Sequence, residues 1–315
     1  MHFKIFVIVA TKGRAAETRV LFDRLSQQSR RPDGVVVVGS EDCDIAGLSE
    51  HATGLSLESK ILLAPQPGAS VQRNIGLEEA AQWANVSDST SWLAVFFDDD
   101  FRPHEDWLLN CAKAFEQAPD LIGLTGLVIA DGVNGDGFSE IDATEFLSGG
   151  RAPSPHWTAR GGDREIDCLY GCNMAFRGSV ARELRFDERL PLYSWQEDRD
   201  YSKRASRHGR LEVLTACRGV HLGINSGRTS GLRFGYSQIS NIAYLVTKRS
   251  ISIRGALRFS GRNMVANLAR TLLLDRRRDY PGRLRGNLLA LGDLFCGRIE
   301  PERVLRLGEK GNMNR

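Results

Sequence analysis

The chain has 315 residues, 42% apolar and 26% charged, with a net charge of +3. That composition excludes a disordered or fibrous protein, and the lack of an apolar run of about 18 residues argues against a transmembrane helix. The length allows about two domains, or one large α/β unit with an appendage. Six cysteines fit a reducing compartment, and Cys168 and Cys172, without a second pair nearby, do not make a zinc site. The apolar run Ile5 to Ala10 is too short for a signal peptide, so a cytoplasmic location is expected.

In chain order, Phe3 to Ala10 (FKIFVIVA) reads as a buried strand and Thr11 to Arg14 as a turn. A helix is expected over Glu17 to Gln28, with Leu21 and Leu25 on one face. Arg31 to Gly34 is a turn, and Val35 to Val38 is a second strand, too apolar for an exposed edge. Ile61 to Leu63 is a short third strand. Val71 to Trp83 is a helix, and Trp92 to Phe97 (WLAVFF) is a fourth strand that stops at three aspartates. Glu105 to Gln117 is a helix with Trp107, Leu108, Cys111 and Phe115 facing inward. Strands alternating with helices predict an α/β fold with a mostly parallel, Rossmann-like sheet covered on both faces. Such sheets bind ligands beyond the carboxyl ends of their strands. From residue 126 the pattern changes to long Gly- and Pro-rich loops, with fewer strands.

Charge is uneven. Residues 248–315 hold 16 Lys+Arg against 6 Asp+Glu, while the rest of the chain holds 26 against 33. Arg276-Arg277-Arg278 and Arg283-x-Arg285 lie in this segment, with Leu284, Leu288, Leu291 and Phe295 at helical spacing. A basic amphipathic helix can lie on an anionic membrane surface or simply cap the domain as a solvated face. Few aromatics are available to stack on bases, so no nucleic-acid partner is expected. The domain reading is therefore 1–125, 126–247 and a C-terminal helical extension over 248–315.

Asp98-Asp99-Asp100 directly follows an apolar strand. Adjacent carboxylates repel, and a divalent cation such as Mg²⁺ or Mn²⁺ removes the cost. The alternative is a solvated loop that caps the next helix. A strand followed by D-x-D also occurs in haloacid-dehalogenase-like phosphatases, but there on the first strand, which here ends Ala10-Thr11-Lys12. Neither a P-loop nor a G-x-G-x-x-G helix opening is present.

The second half carries Tyr170-Gly171-Cys172-Asn173-Met174-Ala175-Phe176-Arg177, then Phe186-Asp187-Glu188-Arg189-Leu190, then Trp195-Gln196-Glu197-Asp198. With Thr11–Arg14, Arg73-Asn74-x-Gly76 and Asp98–Asp100, this order resembles the family-2 glycosyltransferases of GT-A fold. The resemblance spans about residues 5 to 210. It implies metal-dependent, inverting transfer of a sugar from a nucleotide-diphosphate sugar, with UDP the commonest nucleotide, to an acceptor hydroxyl. Asp100 would ligate the metal, Asp98 would lie by the metal or ribose, and Asp99 would support them. His221 matches a further metal ligand of the family. Asp198 would be the base, and Glu197 would bind the acceptor with Trp195 and Asn173. Thr11, Arg14, Arg73 and Asn74 would line the nucleotide, with Ser40 or Asp42 at the base. The family's aspartate immediately after the second strand is displaced here. Arg228 or Arg233 would close over the diphosphate. Trp157 and Tyr193 are further platforms for sugar faces. The tail and the cytoplasmic reading together point to a lipid-linked glycan acceptor at the inner membrane face, in surface-polysaccharide assembly. The alternatives are a soluble or protein acceptor, or an inactive binding domain.

Overall fold

A computed structural model describes residues 3–86, 91–224 and 230–308. The chain divides into two compact units. The first comprises Met1–Pro67, Val71–Phe186 and Tyr201–Gly227, and the second comprises Gly68–Ser70, Asp187–Asp200 and Arg228–Arg315.

The first unit is built on one sheet. β1 (Lys4–Ala10), β2 (Gly34–Gly39), β3 (Ser59–Leu63) and β4 (Trp92–Asp98) alternate with helices. These are α1 (Ala15–Ser26), α2 (Asp42–Ile45), α3 (Leu48–Gly54) and α4 (Ala69–Val86). Then come β5 (Phe101–Pro103), α5 (Trp107–Gln117), β6 (Leu121–Asp131) and α6 (Glu140–Ser148). β7 (Arg164–Glu165), β8 (Asn173–Arg177), α7 (Gly178–Glu183), α8 (Glu197–Ala205), of which the residues up to Asp200 count with the second unit, and β9 (Arg210–His221) complete the succession. The strand order is β3-β2-β1-β4-β8-β6-β9-β5, with β7 paired to β9.

The expectation of a mostly parallel, GT-A-type sheet is corrected by these pairings. β3, β2, β1 and β4 run parallel to one another, as do β6 and β9. β8 is antiparallel to both β4 and β6, and β5 and β7 are antiparallel to β9. The sheet is therefore mixed. The alternation that forces parallel pairing through a crossover helix ends at α5. β8 enters after α6 and the short β7, in the opposite sense to β4 and β6. In the half read as loop-rich with fewer strands, β6 is an 11-residue strand and β9 a 12-residue one.

The parallel half follows the hydrophobic pattern. Every residue of β2 is buried between β1 and β3, and α5 turns Trp107, Leu108, Cys111 and Phe115 into the core. Asp44 ties together the loops that leave β1 and β2. Its carboxylate accepts the backbone N–H of Gly13 (2.5 Å), Ser40 (2.8 Å) and Glu41 (2.9 Å). Burial alone would raise this carboxyl, but the three N–H donors outweigh it and hold Asp44 below the usual carboxylate range.

The second unit contains α9 (Gly231–Thr247), α10 (Ile253–Leu272) and α11 (Tyr280–Phe295). One of its cores gathers Leu190, Ile242, Leu245 and Ile251, and another gathers Tyr236, Ile239, Ala290 and Val304. α9 and α11 cross at glycines. A Cβ on Gly235 would lie 2.0 Å from the Arg283 carbonyl oxygen, and one on Gly286 would lie 2.2 Å from that of Leu232. Lys248, just past α9, donates to Asp187 (2.5 Å) and to the fully buried Asp200 (2.8 Å). Ser250 and Tyr244 also donate hydrogen bonds, to Asp200 and Asp187 respectively.

Candidate metal centre

The carboxyl ends of β1 and β4 lie side by side, because Ala10 pairs with Asp98 in parallel register. Thr11 and the aspartate triplet are thereby brought together. Asp99 turns inward, accepting hydrogen bonds from the Thr11 hydroxyl (2.8 Å) and from Arg14 Nη1 (2.9 Å). Arg14 also stands 3.3 Å from Asp100 Oδ2 and donates to the Ile224 carbonyl (2.9 Å). Asp98, the most exposed of the three, receives Arg73 Nη2 at 2.9 Å. Two arginines thus flank three carboxylates at one strand end.

His221 is the last residue of β9, opposite Phe101 of β5 and Asp131 of β6. Its Nε2 is 3.2 Å from Asp100 Oδ1 and 3.9 Å from Asp98 Oδ2. Asp98, Asp100 and His221 each offer a ligand atom, all within 4.8 Å of one another. Asp100 Oδ1 and His221 Nδ1 are buried and lack an aligned hydrogen-bond partner. A buried polar atom left unsatisfied is costly, and Asp100 Oδ1 is the one that faces the cluster, whereas His221 Nδ1 faces Asp131. Two hard carboxylates and an imidazole suit a divalent cation such as Mn²⁺ or Mg²⁺. The cluster can therefore hold a divalent metal cofactor.

The electrostatics are tightly linked. Burial pushes the Asp99 carboxyl up despite Arg14. Burial would also raise Asp100, but the His221 ring and the Arg14 guanidinium hold it below the usual range. Burial would lower the His221 ring, but Asp100 and Asp131 raise it well above an ordinary histidine.

Asp131, Tyr170 and His156 were not singled out by sequence. Asp131 Oδ1 lies 3.2 Å from His221 Nδ1, and Asp131 Oδ2 accepts the Tyr170 hydroxyl at 2.7 Å. His156 Nε2 is 3.5 Å from the same Oδ2, and its ring packs 5.2 Å from Tyr170. A carboxylate behind a ligating histidine sets ring orientation and basicity. The available signal was the one that found the triplet: Asp131 closes an apolar strand, LIGLTGLVIA, just as Asp98 closes WLAVFF.

Other expected residues fall as follows. Asn74 clamps Phe186, its side chain donating to the carbonyl (2.9 Å) and accepting from the N–H (2.7 Å). Asn173 is fully buried, its Oδ1 accepting from Thr125 and Gly126. Asp42 is exposed at the start of α2, and Ser40 donates its backbone N–H to Asp44. Trp157 is partly exposed and packs edge-on to Tyr170.

Glu197, Asp198, Trp195, Tyr193 and Arg233 belong to the second unit. Glu197 and Asp198 open α8, and Asp198 Oδ1 accepts the Arg199 N–H at 2.7 Å. The approach to this pair is strained, with positive φ at three non-glycine residues: Leu192 (60°), Ser194 (51°) and Gln196 (74°). Ser194 pins the turn, donating to the Leu190 carbonyl (2.6 Å) and accepting the Ser70 N–H (3.1 Å). Trp195 packs on Phe234, and Tyr193 is exposed. Arg233 donates to the Leu307 carbonyl at 2.6 Å. Arg228 lies outside the described residues.

No protein-family model matches the chain, and no curated protein does. Solved structures do. Residues 1–349 of Staphylococcus aureus TarS, in complex with UDP-GlcNAc, align over 97% of this chain and 84% of that one, with TM-score 0.58 and 18% identity. The mannosyltransferase PcManGT from Pyrobaculum calidifontis, in complex with GDP-Man and Mn²⁺, aligns over 97% and 79%, with TM-score 0.52 and 14% identity. Against a further S. aureus TarS structure the chain spans 42% of its length, with TM-score 0.53 and 17% identity. At these identities the likeness concerns the fold alone. The family-2, GT-A assignment is accordingly corrected: the sheet is mixed, and no family model supports membership.

Proposed function

We propose that the chain transfers a sugar from a nucleotide-diphosphate sugar to an acceptor hydroxyl, with a divalent cation held by Asp98, Asp100 and His221. The observation that carries this reading is the cluster itself. A buried carboxylate oxygen, Asp100 Oδ1, and His221 Nε2 face each other beside Asp98 and two arginines at the carboxyl end of a parallel strand. One fold neighbour is in complex with UDP-GlcNAc and another with GDP-Man and Mn²⁺, so a nucleotide-diphosphate sugar is what they share.

When bound, the cation would stabilise the charge that grows on the departing nucleoside diphosphate. In this reading Arg14 and Arg73 hold the carboxylates in place and add positive charge where the diphosphate would lie. Asp131 keeps the His221 ring turned for ligation. Transfer with inversion needs a group to take the acceptor proton, and Asp198 is assigned that role, with Glu197 on the acceptor. The strained backbone at Leu192, Ser194 and Gln196 supports this choice, because strain of about 1–3 kcal/mol per residue persists mainly where function requires it. The acceptor proposed is a lipid-linked glycan reached from the cytoplasmic side, supported by the basic C-terminal segment.

The test is release of nucleoside diphosphate from a panel including UDP-GlcNAc and GDP-Man, with Mn²⁺ and a glycan acceptor. Turnover is expected with at least one donor and is expected to stop in EDTA. Unimpaired turnover in EDTA would remove the metal from the reaction, and no binding of any donor would remove the reading itself.

A further inference from the structure

The sequence places its basic amphipathic stripe on Leu284, Leu288, Leu291 and Phe295. In the structure Leu291 packs into a core and Leu284 is half-buried, which leaves Leu288 and Phe295 exposed. Two of the arginines singled out are also engaged. Arg277 pairs with Asp275 (2.7 Å), and Arg283 stacks on Phe234 (4.6 Å).

The larger apolar face is on α10. This helix buries a polar residue and exposes aliphatic ones. Asn267 is buried, donating to Gln238 (2.8 Å) and Asn287 (2.7 Å). Ile253, Leu257, Val265, Leu268 and Leu272 are exposed, and Leu273 and Leu274 extend the face past its end. Exposure runs from 46% to 80% across these seven. At 100° per residue the five helix positions fall within about 120° of one another, forming a single stripe. Arg258 and Arg262 follow along one edge of it, both exposed, and Arg254 lies within it near the start. Arg276 follows the leucine tip, and Asp275 folds the turn by holding Arg270 (2.6 Å) and Arg277. Aliphatic side chains bordered by arginines along one helix are the arrangement of a helix lying in a lipid interface. Among the described residues no helix is long and apolar enough to cross a membrane.

We infer that α10, with its Leu272–Leu274 tip, is a docking surface for an anionic lipid bilayer. The charge argues for lipid over a second copy of the chain, because residues 248–315 hold 16 basic against 6 acidic residues and two such faces would repel. The stripe enters the acyl boundary, and Arg254, Arg258, Arg262 and Arg276 remain at the headgroups.

The full chain is tested by co-sedimentation with vesicles of phosphatidylcholine alone and with added phosphatidylglycerol. Binding is expected to be strong on the anionic vesicles, weak on the neutral ones, and reduced by salt. Leu257→Gln with Leu268→Gln should weaken binding by at least about tenfold, since each leucine loses its burial. Arg254→Gln, Arg258→Gln and Arg262→Gln together should weaken it on anionic vesicles only. All these side chains are exposed, so the melting temperature and donor hydrolysis should be unchanged, which separates failure here from failure of the proposed reaction. Sedimentation indifferent to lipid charge and to both variants would overturn the inference. So would a dimer, seen by light scattering, that dissociates in the leucine variant while vesicles fail to bind.

Discussion

Replacing Lys248 with Ala is expected to destabilise the second unit by about 3 kcal/mol, near the lower end of what breaking a buried ion pair costs. Lys248 sits between Asp187 and Asp200, at 2.5 and 2.8 Å. Asp200 is fully buried, and removing the ammonium takes a charged partner from its carboxylate, which Ser250 also contacts. Lys248 is itself about a quarter exposed, so water screens part of its charge. The loss should appear as a lower melting temperature in calorimetry. Burial alone would raise the Asp187 carboxyl, but its bonds from Lys248 and Tyr244 hold it below the usual range. Its folded pKa is thus below its unfolded one, so the stability it gives is present above about pH 4 and is lost as pH falls through the lowered value. Lys248→Ala should flatten that acid dependence. An unchanged melting temperature together with an unchanged acid limb would show that the network carries no stability.

Asp198→Asn is expected to lower turnover by about 10²–10⁴-fold while leaving donor affinity nearly intact. The amide keeps the side chain's shape and its acceptor oxygen for the Arg199 N–H, but it cannot take a proton. Donor affinity is read by calorimetry with the nucleoside diphosphate and Mn²⁺, and turnover by nucleotide release in the same preparation. If Glu197→Gln is the inactive variant and Asp198→Asn is not, the roles of the two neighbours are reversed.

Some of this was legible before any coordinates, for definite physical reasons. β1, β2 and β4 are apolar runs buried on both faces, so composition alone marks them, and the α5 stripe has a clear helical period. Asp98–Asp100 stood out because carboxylates at the end of such a strand need a partner. The second half was less readable. β8 carries a polar Asn173 whose side chain is satisfied across the sheet by Thr125, a pairing that only the antiparallel register creates. Asp131 and Asp100 are 31 positions apart and meet only through His221 of β9. Asp187 lies in a segment read as family motif, yet it and Asp200 are bound to Lys248, 61 and 48 positions along the chain, which no local pattern announces. On α10 the exposed stripe was missed because helical spacing marks an apolar face without saying whether it turns inward or outward.

The most direct measurement of the central claim is Mn²⁺ binding, followed by electron paramagnetic resonance in the presence of UDP or GDP. The native chain is expected to bind one Mn²⁺. Asp100→Ala and His221→Ala should each lose at least about tenfold in affinity, since even residues behind the ligands typically matter by that much. Both variants should keep their far-ultraviolet circular dichroism, because the cluster sits at strand ends. A native chain that takes up no Mn²⁺, or folded variants that bind it as tightly as the native chain, would contradict the assignment of this cluster as the metal centre.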